Sequence, residues 1–383
     1  MAARHLGLEG FGIFTLVLSL YTMFELAVCF GFDNIIVREV ALRHTNAKIY
    51  FTHGALIGAA ASMMGGFLLV VLGNVMHYPS QIKASIGLVS LLLFPSFLYY
   101  LLENIFIGLE RAKYILLSAL GRDTMLIILG IVVLGRQGGI NAVILVMLWA
   151  RIFGFICLLC FAKLHKLELL SRLDFIFLDK MVRLLPTFWW IAVSSCLFLE
   201  LDTVILSKVL PFSELGLYNL AKRIFRVANI FYFSFSMASY PKIAQCWGGP
   251  KDDLITIYRR YLWMMFVLCL SLVFLALFLS GFFIHVFFGD QYMPAMRYLK
   301  VLVWSSIPLG ISLLLSRFLI AAHRQNKDLF SSFLGVISLV FTGTVFSMRW
   351  GGVGMAAAYT VSAFIMMAFF YYFTSKQLAL REA

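Results

Sequence analysis

Met264-Met265-Phe266-Val267-Leu268-Cys269-Leu270-Ser271-Leu272-Val273-Phe274-Leu275-Ala276-Leu277-Phe278-Leu279 is the centre of a longer run, 261–287, that holds no Asp, Glu, Lys or Arg. About 20 apolar residues are enough for a helix to cross the hydrocarbon core of a bilayer. A run of this length and purity reads as a membrane span rather than as the core helix of a soluble globule. Ten further stretches of the same kind lie near 9–31, 50–73, 84–108, 112–135, 140–162, 184–208, 215–240, 298–321, 329–348 and 352–375. Composition agrees: 62% of the 383 residues are hydrophobic and only 13% are charged, with a mean hydropathy of +0.95. Soluble domains run near half apolar and a quarter charged. A soluble enzyme, a disordered chain and a nucleic-acid-binding domain are thereby excluded. The expected fold class is all-α, a polytopic membrane protein.

The net charge of +13 is read in that light, as cytoplasmic loops, headgroup contacts or an anionic cargo. Between spans, Lys and Arg alternate strongly. One side carries eighteen, including Arg38, Arg43, Lys48, Lys163, Lys166, Arg172, Lys180, Arg183, Arg324, Lys327, Lys376 and Arg381, and the other carries seven. The positive-inside rule puts the richer side, and with it the C-terminus, in the cytoplasm.

The two halves repeat. Gly12 and Phe14 recur as Gly216 and Tyr218, and Arg38 as Lys242, at an offset of 204. Arg111 and Ser118 recur as Arg324 and Ser331, and the turn Arg136-Gln137-Gly138-Gly139-Ile140 as Arg349-Trp350-Gly351-Gly352-Val353, at an offset of 213. A parallel duplication is a recurring transporter plan and needs an even number of helices per half. The sequence predicts an N-terminal lobe of five spans in 1–163, a cytoplasmic linker in 164–183 and a C-terminal lobe of six spans in 184–383. The expectation is a twelve-helix plan that lacks its first helix, with two parallel helical lobes around a central cavity.

Charges inside spans are costly and normally face a bundle interior or a wet cavity. The basic ones are Arg122, Arg151, Lys222, Arg223, Arg226 and Arg317; the acidic ones are Glu25, Glu103, Asp123, Glu200 and Asp202. In Tyr218-Asn219-Leu220-Ala221-Lys222-Arg223-Ile224-Phe225-Arg226, helical spacing puts Asn219, Lys222, Arg223 and Arg226 on one face, roughly 10 Å below the membrane surface at 1.5 Å per residue. Such a basic stripe reads as a lining for an anion, since a guanidinium binds phosphate through two parallel bonds. The competing reading is internal pairing. The turn near Pro211 sets Asp202 level with Lys222, and one ion pair between these helices is expected. Arg122 and Arg151, near the centres of their spans, either bind cargo or pair across helices. Asp123, about 100° round the helix from Arg122, reads as a poor partner for it. Arg317 reads as snorkelling to headgroups. Asp202, Glu200 and Asp123 read either as carriers of a coupling Na⁺ or H⁺ or as structural counter-charges. Neither a catalytic grouping nor a phosphate loop is visible, the histidines are scattered, and Cys157 and Cys160 sit in mid-span. No cofactor, metal or nucleic-acid partner is expected.

The residues also carry a resemblance. Leu6-Gly7-Leu8-Glu9-Gly10-Phe11-Gly12-Ile13-Phe14, then Gly31-Phe32-Asp33 and Val37-Arg38-Glu39-Val40-Ala41, resemble the entrance of the polysaccharide (O-antigen and repeat-unit) flippases of the multidrug/oligosaccharidyl-lipid/polysaccharide (MOP) superfamily. So do Leu201-Asp202-Thr203-Val204-Ile205-Leu206, Glu214-Leu215-Gly216-Leu217-Tyr218 and Ala221-Lys222-Arg223. The resemblance covers essentially the whole chain. It implies two six-helix lobes that flip a polyprenyl-diphosphate-linked oligosaccharide from the cytoplasmic to the outer leaflet of a bacterial inner membrane by alternating access, among membrane lipids and near a glycan polymerase. Arg122, Arg151, Lys222, Arg223, Arg226, Arg317 and Asn219 are then the candidate diphosphate and cavity residues. The alternatives are an organic-cation or drug antiporter, whose cavity needs more acid than base, a peptidoglycan-precursor flippase, and a membrane-embedded glycan polymerase or ligase, which needs longer outer loops.

Overall fold

The computed structural model describes residues 2–29, 32–247 and 251–379. Gly31 and Arg381, which entered the sequence reading, lie outside the described residues, as do the side chains of Phe32, Asp33, Lys180 and Lys251. Among the described residues there are helices and turns and no strand. Every stretch expected to span is helical where it is described, except for turns at 91–92 inside 84–108 and at 207–208 at the end of 184–208. Among the described residues, eight helical stretches are long and apolar enough to cross a membrane, one of them being the bent 55-residue stretch Gln325–Ala379. Their outer faces are the reason a membrane is needed. Phe278 is 86% exposed, and Met63, Ile128, Phe341 and Met348 also point outward. In water such continuous apolar faces aggregate; against acyl chains they cost nothing.

Two compact units divide the chain, Met1–Leu6 with Leu16–Cys196, and Gly7–Thr15 with Leu197–Ala383. Helix α1 (Ala2–Cys29) therefore contributes Gly7–Thr15 to the second unit and the rest to the first, and α8 (Phe175–Leu206) is divided after Cys196. Within the first unit follow α2 (Phe32–Leu42), α3 (Ala47–Val75), α4 (Ser80–Ser90), α5 (Leu93–Gly108), α6 (Ala112–Gly135) and α7 (Ile140–Leu164). The second unit has α9 (Phe212–Trp247), α10 (Lys251–Phe283), α11 (Met296–Leu302), α12 (Ser306–Ala321) and α13 (Gln325–Ala379).

In the first unit α5 is the buried hub. It packs on α2, α3 and α7 through Phe97, Leu101, Leu102, Ile105 and Phe106, all fully buried. In the second unit α12 takes that place against α9, α10 and α13, with Leu314, Leu315, Phe318 and Leu319 buried. The offset of 213 links α5 with α12 at both ends, and each is preceded by a break in the helix, at Leu91-Leu92 and at Val303–Ser305. The expected turn at 349–353 is a bend inside α13. Gly351 adopts φ 59°, a left-handed conformation that glycine tolerates and other residues rarely do. A side chain at Gly354 would run into the Phe346 carbonyl.

α8 begins at Phe175, so only 165–174 of the segment expected as a linker is non-helical. In the first unit α3 holds it. Thr52 donates to the Leu169 carbonyl at 3.2 Å and accepts from the Ser171 N–H at 2.9 Å. The Lys48 ammonium bonds Glu168 at 2.7 Å and holds that exposed carboxyl below its ordinary pKa. His53, fully buried, has Nδ1 on the Ile49 carbonyl at 2.8 Å and accepts the Asp174 N–H on Nε2 at 2.8 Å. These bonds fix the neutral Nδ1–H tautomer. His53→Phe keeps the ring against Phe177 and loses both bonds, at about 1 kcal/mol each. Faster proteolysis within 165–174 is expected; unchanged cleavage would show that His53 does not anchor the segment.

Candidate functional site

Among the described residues, paired charges at span depth occur in both units. In the second unit the end of α8 meets the start of α9. Asp202, with no exposed surface, accepts the Thr203 N–H at 2.7 Å on Oδ1 and the Tyr218 hydroxyl at 2.7 Å on Oδ2. Lys222, only 4% exposed, donates to Asp202 Oδ1, and to Thr203 Oγ1 at 3.1 Å, with Glu200 Oε2 at 3.5 Å. Arg226 uses one nitrogen, Nη2, for both Glu200 Oε1 at 2.6 Å and the Leu199 carbonyl at 2.8 Å. Two carboxylates and two cations leave the cluster neutral, which is how buried charge survives in a low dielectric.

Asn219 does not line an opening. It is buried, accepts from Thr203 Oγ1 at 2.8 Å and donates to Thr15 Oγ1 on α1 at 3.0 Å. Thr15 and Asn219 are 204 residues apart, the repeat offset. Gly12 and Gly216, also 204 apart, meet at the same crossing. A Cβ on Gly12 would strike the Phe212 carbonyl, and one on Gly216 would lie 2.5 Å from the Leu8 carbonyl; Leu8 and Phe212 are again 204 apart. In this part of the second unit each helix touches the repeat-mates of its own residues, with small residues letting the backbones close in.

Arg223 differs from its neighbours. It is exposed, sits 5.4 Å from the centre of the Phe11 ring, and has no carboxylate within 4 Å among the described residues. Arg226 keeps 35% of its side chain exposed. Arg317 on α12, half-buried, donates from Nε to Ser236 Oγ on α9 at 3.2 Å. That bond ties the middle of the side chain to α9.

In the first unit, Arg151 on α7 pairs with Glu25 on α1 at 3.1 Å. Tyr21 donates to the same Glu25 oxygen at 2.6 Å and meets Ser96 Oγ at 2.7 Å. Arg122 bonds Asp123 at 2.8 Å and lies 5.0 Å from the centre of the Tyr99 ring. The expectation that Asp123 is a poor partner is wrong. Arg122 turns Nε sideways along the helix surface, and a long side chain spans the 100° that separates the two Cβ atoms. Tyr99 approaches because Gly154 leaves room; a Cβ there would be 3.0 Å from the ring.

Sequence reasoning missed Tyr21, Tyr99, Thr203 and Tyr218. Tyr21 and Glu25, four apart on one helix face, gave a usable signal; the others are set by packing across helices.

The sequence of residues 1–247 matches the family model for polysaccharide biosynthesis protein, and residues 191–343 match the MatE model. The sequence matches no curated protein. Several solved structures share the fold. An inward-facing multidrug resistance transporter of the MATE family superposes with a TM-score of 0.79 at 12% identity, over 99% of this chain and 95% of the other. The lipid II flippase MurJ, inward closed, gives 0.75 at 15%, over 97% and 86%. A MOP-superfamily transporter from Pyrococcus furiosus, described by a binding pocket of reversed polarity, gives 0.65 at 12%, over 99% and 90%. With an all-helical fold shared with these transporters and a family model covering well over half its length, the chain, a multi-pass membrane protein, belongs to the polysaccharide biosynthesis protein family.

Proposed function

We propose that the chain flips a polyprenyl-diphosphate-linked oligosaccharide repeat unit from the cytoplasmic to the outer leaflet of a bacterial inner membrane by alternating access, with its C-terminus cytoplasmic. Its partners are the lipid-linked oligosaccharide, the surrounding lipids and the glycan polymerase that uses the product. The observation that carries the reading is Arg223, a guanidinium at span depth with exposed surface and no carboxylate within 4 Å among the described residues. A charge so placed is costly unless something anionic uses it, and a diphosphate is the anion that the family's products offer. Arg226 stands one turn further along the same helix and donates to Glu200 and Leu199 through Nη2 alone. Arg122, Arg151, Lys222, Arg317 and Asn219 already hold protein partners. In this reading Lys222 and Asn219 fix the surroundings of the two arginines in the second unit, Arg317 is tied to α9 further along it, and in the first unit Arg122, partly exposed, is a separate candidate contact for phosphate. An organic-cation cargo is disfavoured by the same arginine, which repels it.

Arg223→Ala is expected to lower surface glycan roughly 10- to 100-fold, the worth of one charge-assisted bond of about 1.5–3 kcal/mol. The protein should stay in the membrane, and lipid-linked units should accumulate inside. Full export by Arg223→Ala would overturn the assignment.

A further inference from the structure

The buried cluster of the second unit has a feature that diphosphate binding does not use. Within one turn of α8, Glu200, Asp202 and Thr203 aim three oxygens at a single point, and all three residues are nearly or fully buried. The point is filled by Lys222 Nζ, against Asp202 Oδ1, Thr203 Oγ1 at 3.1 Å and Glu200 Oε2 at 3.5 Å. Two carboxylates and a hydroxyl, without nitrogen or sulfur, are ligands for a hard cation. The remaining valences are spoken for: Tyr218 takes Asp202 Oδ2, and Arg226 takes Glu200 Oε1. Arg226 balances one carboxylate, so the seat calls for a single further positive charge, which the lysine supplies from α9.

We infer that Glu200, Asp202 and Thr203 form a seat for one monovalent cation, that the ammonium of Lys222 occupies it as a tethered resident, and that the native chain therefore takes up no free alkali cation there. Of the two roles open to Asp202 and Glu200 in the sequence, ion carrier or counter-charge, this assigns the second. A lysine cannot leave the protein, whereas Na⁺ enters and leaves. The inference is independent of the cargo.

Lys222→Met removes the charge and keeps the bulk. The purified full-length variant is compared with wild type in NaCl and in choline chloride at equal ionic strength, by thermal unfolding and by ²²Na⁺ binding. Wild type is expected to show neither bound ²²Na⁺ nor a Na⁺-specific change in Tm. Lys222→Met is expected to gain a saturable rise in Tm of several degrees in Na⁺ and one bound ²²Na⁺ per chain. The double variant Lys222→Met/Asp202→Asn, with one carboxylate neutralised, is expected to lose that response. Saturable ²²Na⁺ binding by wild type overturns the inference. So does a folded Lys222→Met that ignores Na⁺, or a Lys222→Met that folds in neither salt while the double variant folds. The wild-type binding measurement decides the matter even if both variants fail to fold.

Discussion

Asp202→Leu is expected to lose about 3–5 kcal/mol of stability, the range for breaking a buried pair by removing one partner. The carboxylate serves three donors at once, the Lys222 ammonium, the Tyr218 hydroxyl and the Thr203 N–H. Leucine leaves all three without an acceptor, and Lys222 keeps only Glu200 at 3.5 Å and Thr203. The cation then shares one carboxylate with Arg226. Thermal unfolding of the detergent-solubilised protein should show a large fall in Tm, and in cells most of the protein should be degraded. Asp202→Asn keeps the shape and an acceptor oxygen, so it is expected to fall between the two. A Leu variant as stable as wild type would mean that Lys222 reaches water by another path and that the cluster is not structurally required. A combined Asp202→Leu/Lys222→Met chain should recover much of the loss, since replacing both members of a buried pair by apolar groups is often close to neutral.

Gly12→Ala and Gly216→Ala are the second large effect. A Cβ at position 12 has nowhere to go but the Phe212 carbonyl, and one at 216 the Leu8 carbonyl. Both obstacles are backbone, which cannot swing aside as a side chain would. The helices must separate, and the Asn219–Thr15 bond of 3.0 Å beside them goes with the displacement. Either substitution is expected to cost about 3 kcal/mol or more, at the upper end of overpacking, and to lower the amount of folded protein in the membrane. Gly87→Ala is the control, since a Cβ there meets nothing within 4 Å. Equal Tm values for Gly12→Ala and Gly87→Ala would contradict the close approach.

How much of this was legible in the sequence depended on the range of the interaction. Spans were legible because apolar runs of bilayer length have one main physical explanation, and each lands on helix apart from the turns at 91–92 and 207–208. The duplication was legible from glycines and basic residues at fixed offsets. Its deeper form, two hub helices α5 and α12 in register after matching breaks, was not, because the residues that Leu93–Gly108 and Ser306–Ala321 share at that offset, Pro95 with Pro308, Leu101 with Leu314, Leu102 with Leu315 and Ile107 with Ile320, are mostly common apolar ones in any span. In the clusters, Asp202 and Lys222 were legible because a tight turn fixes the register of the two helices it joins. Arg151–Glu25 bridges α7 and α1, and no local rule gives that register. Arg122–Asp123 went the other way, since a Cβ angle says little about where a guanidinium on three methylenes ends. The basic stripe 219–226 was one face by spacing and is three environments in the structure: Asn219 and Lys222 enclosed, Arg226 half tied, Arg223 open.

The crossing of α1 with α9 has a consequence for ancestry. A surface on which a residue meets its own duplicate is what two identical subunits present to each other across a two-fold axis. A half-length forebear with one such glycine helix could pair with a second molecule of itself through Gly12-like against Gly12-like backbone, with no further sequence needed. Fusion of the two genes would then have tethered a partnership already in place, and freed Thr15 and Asn219 to diverge into complementary halves of one bond.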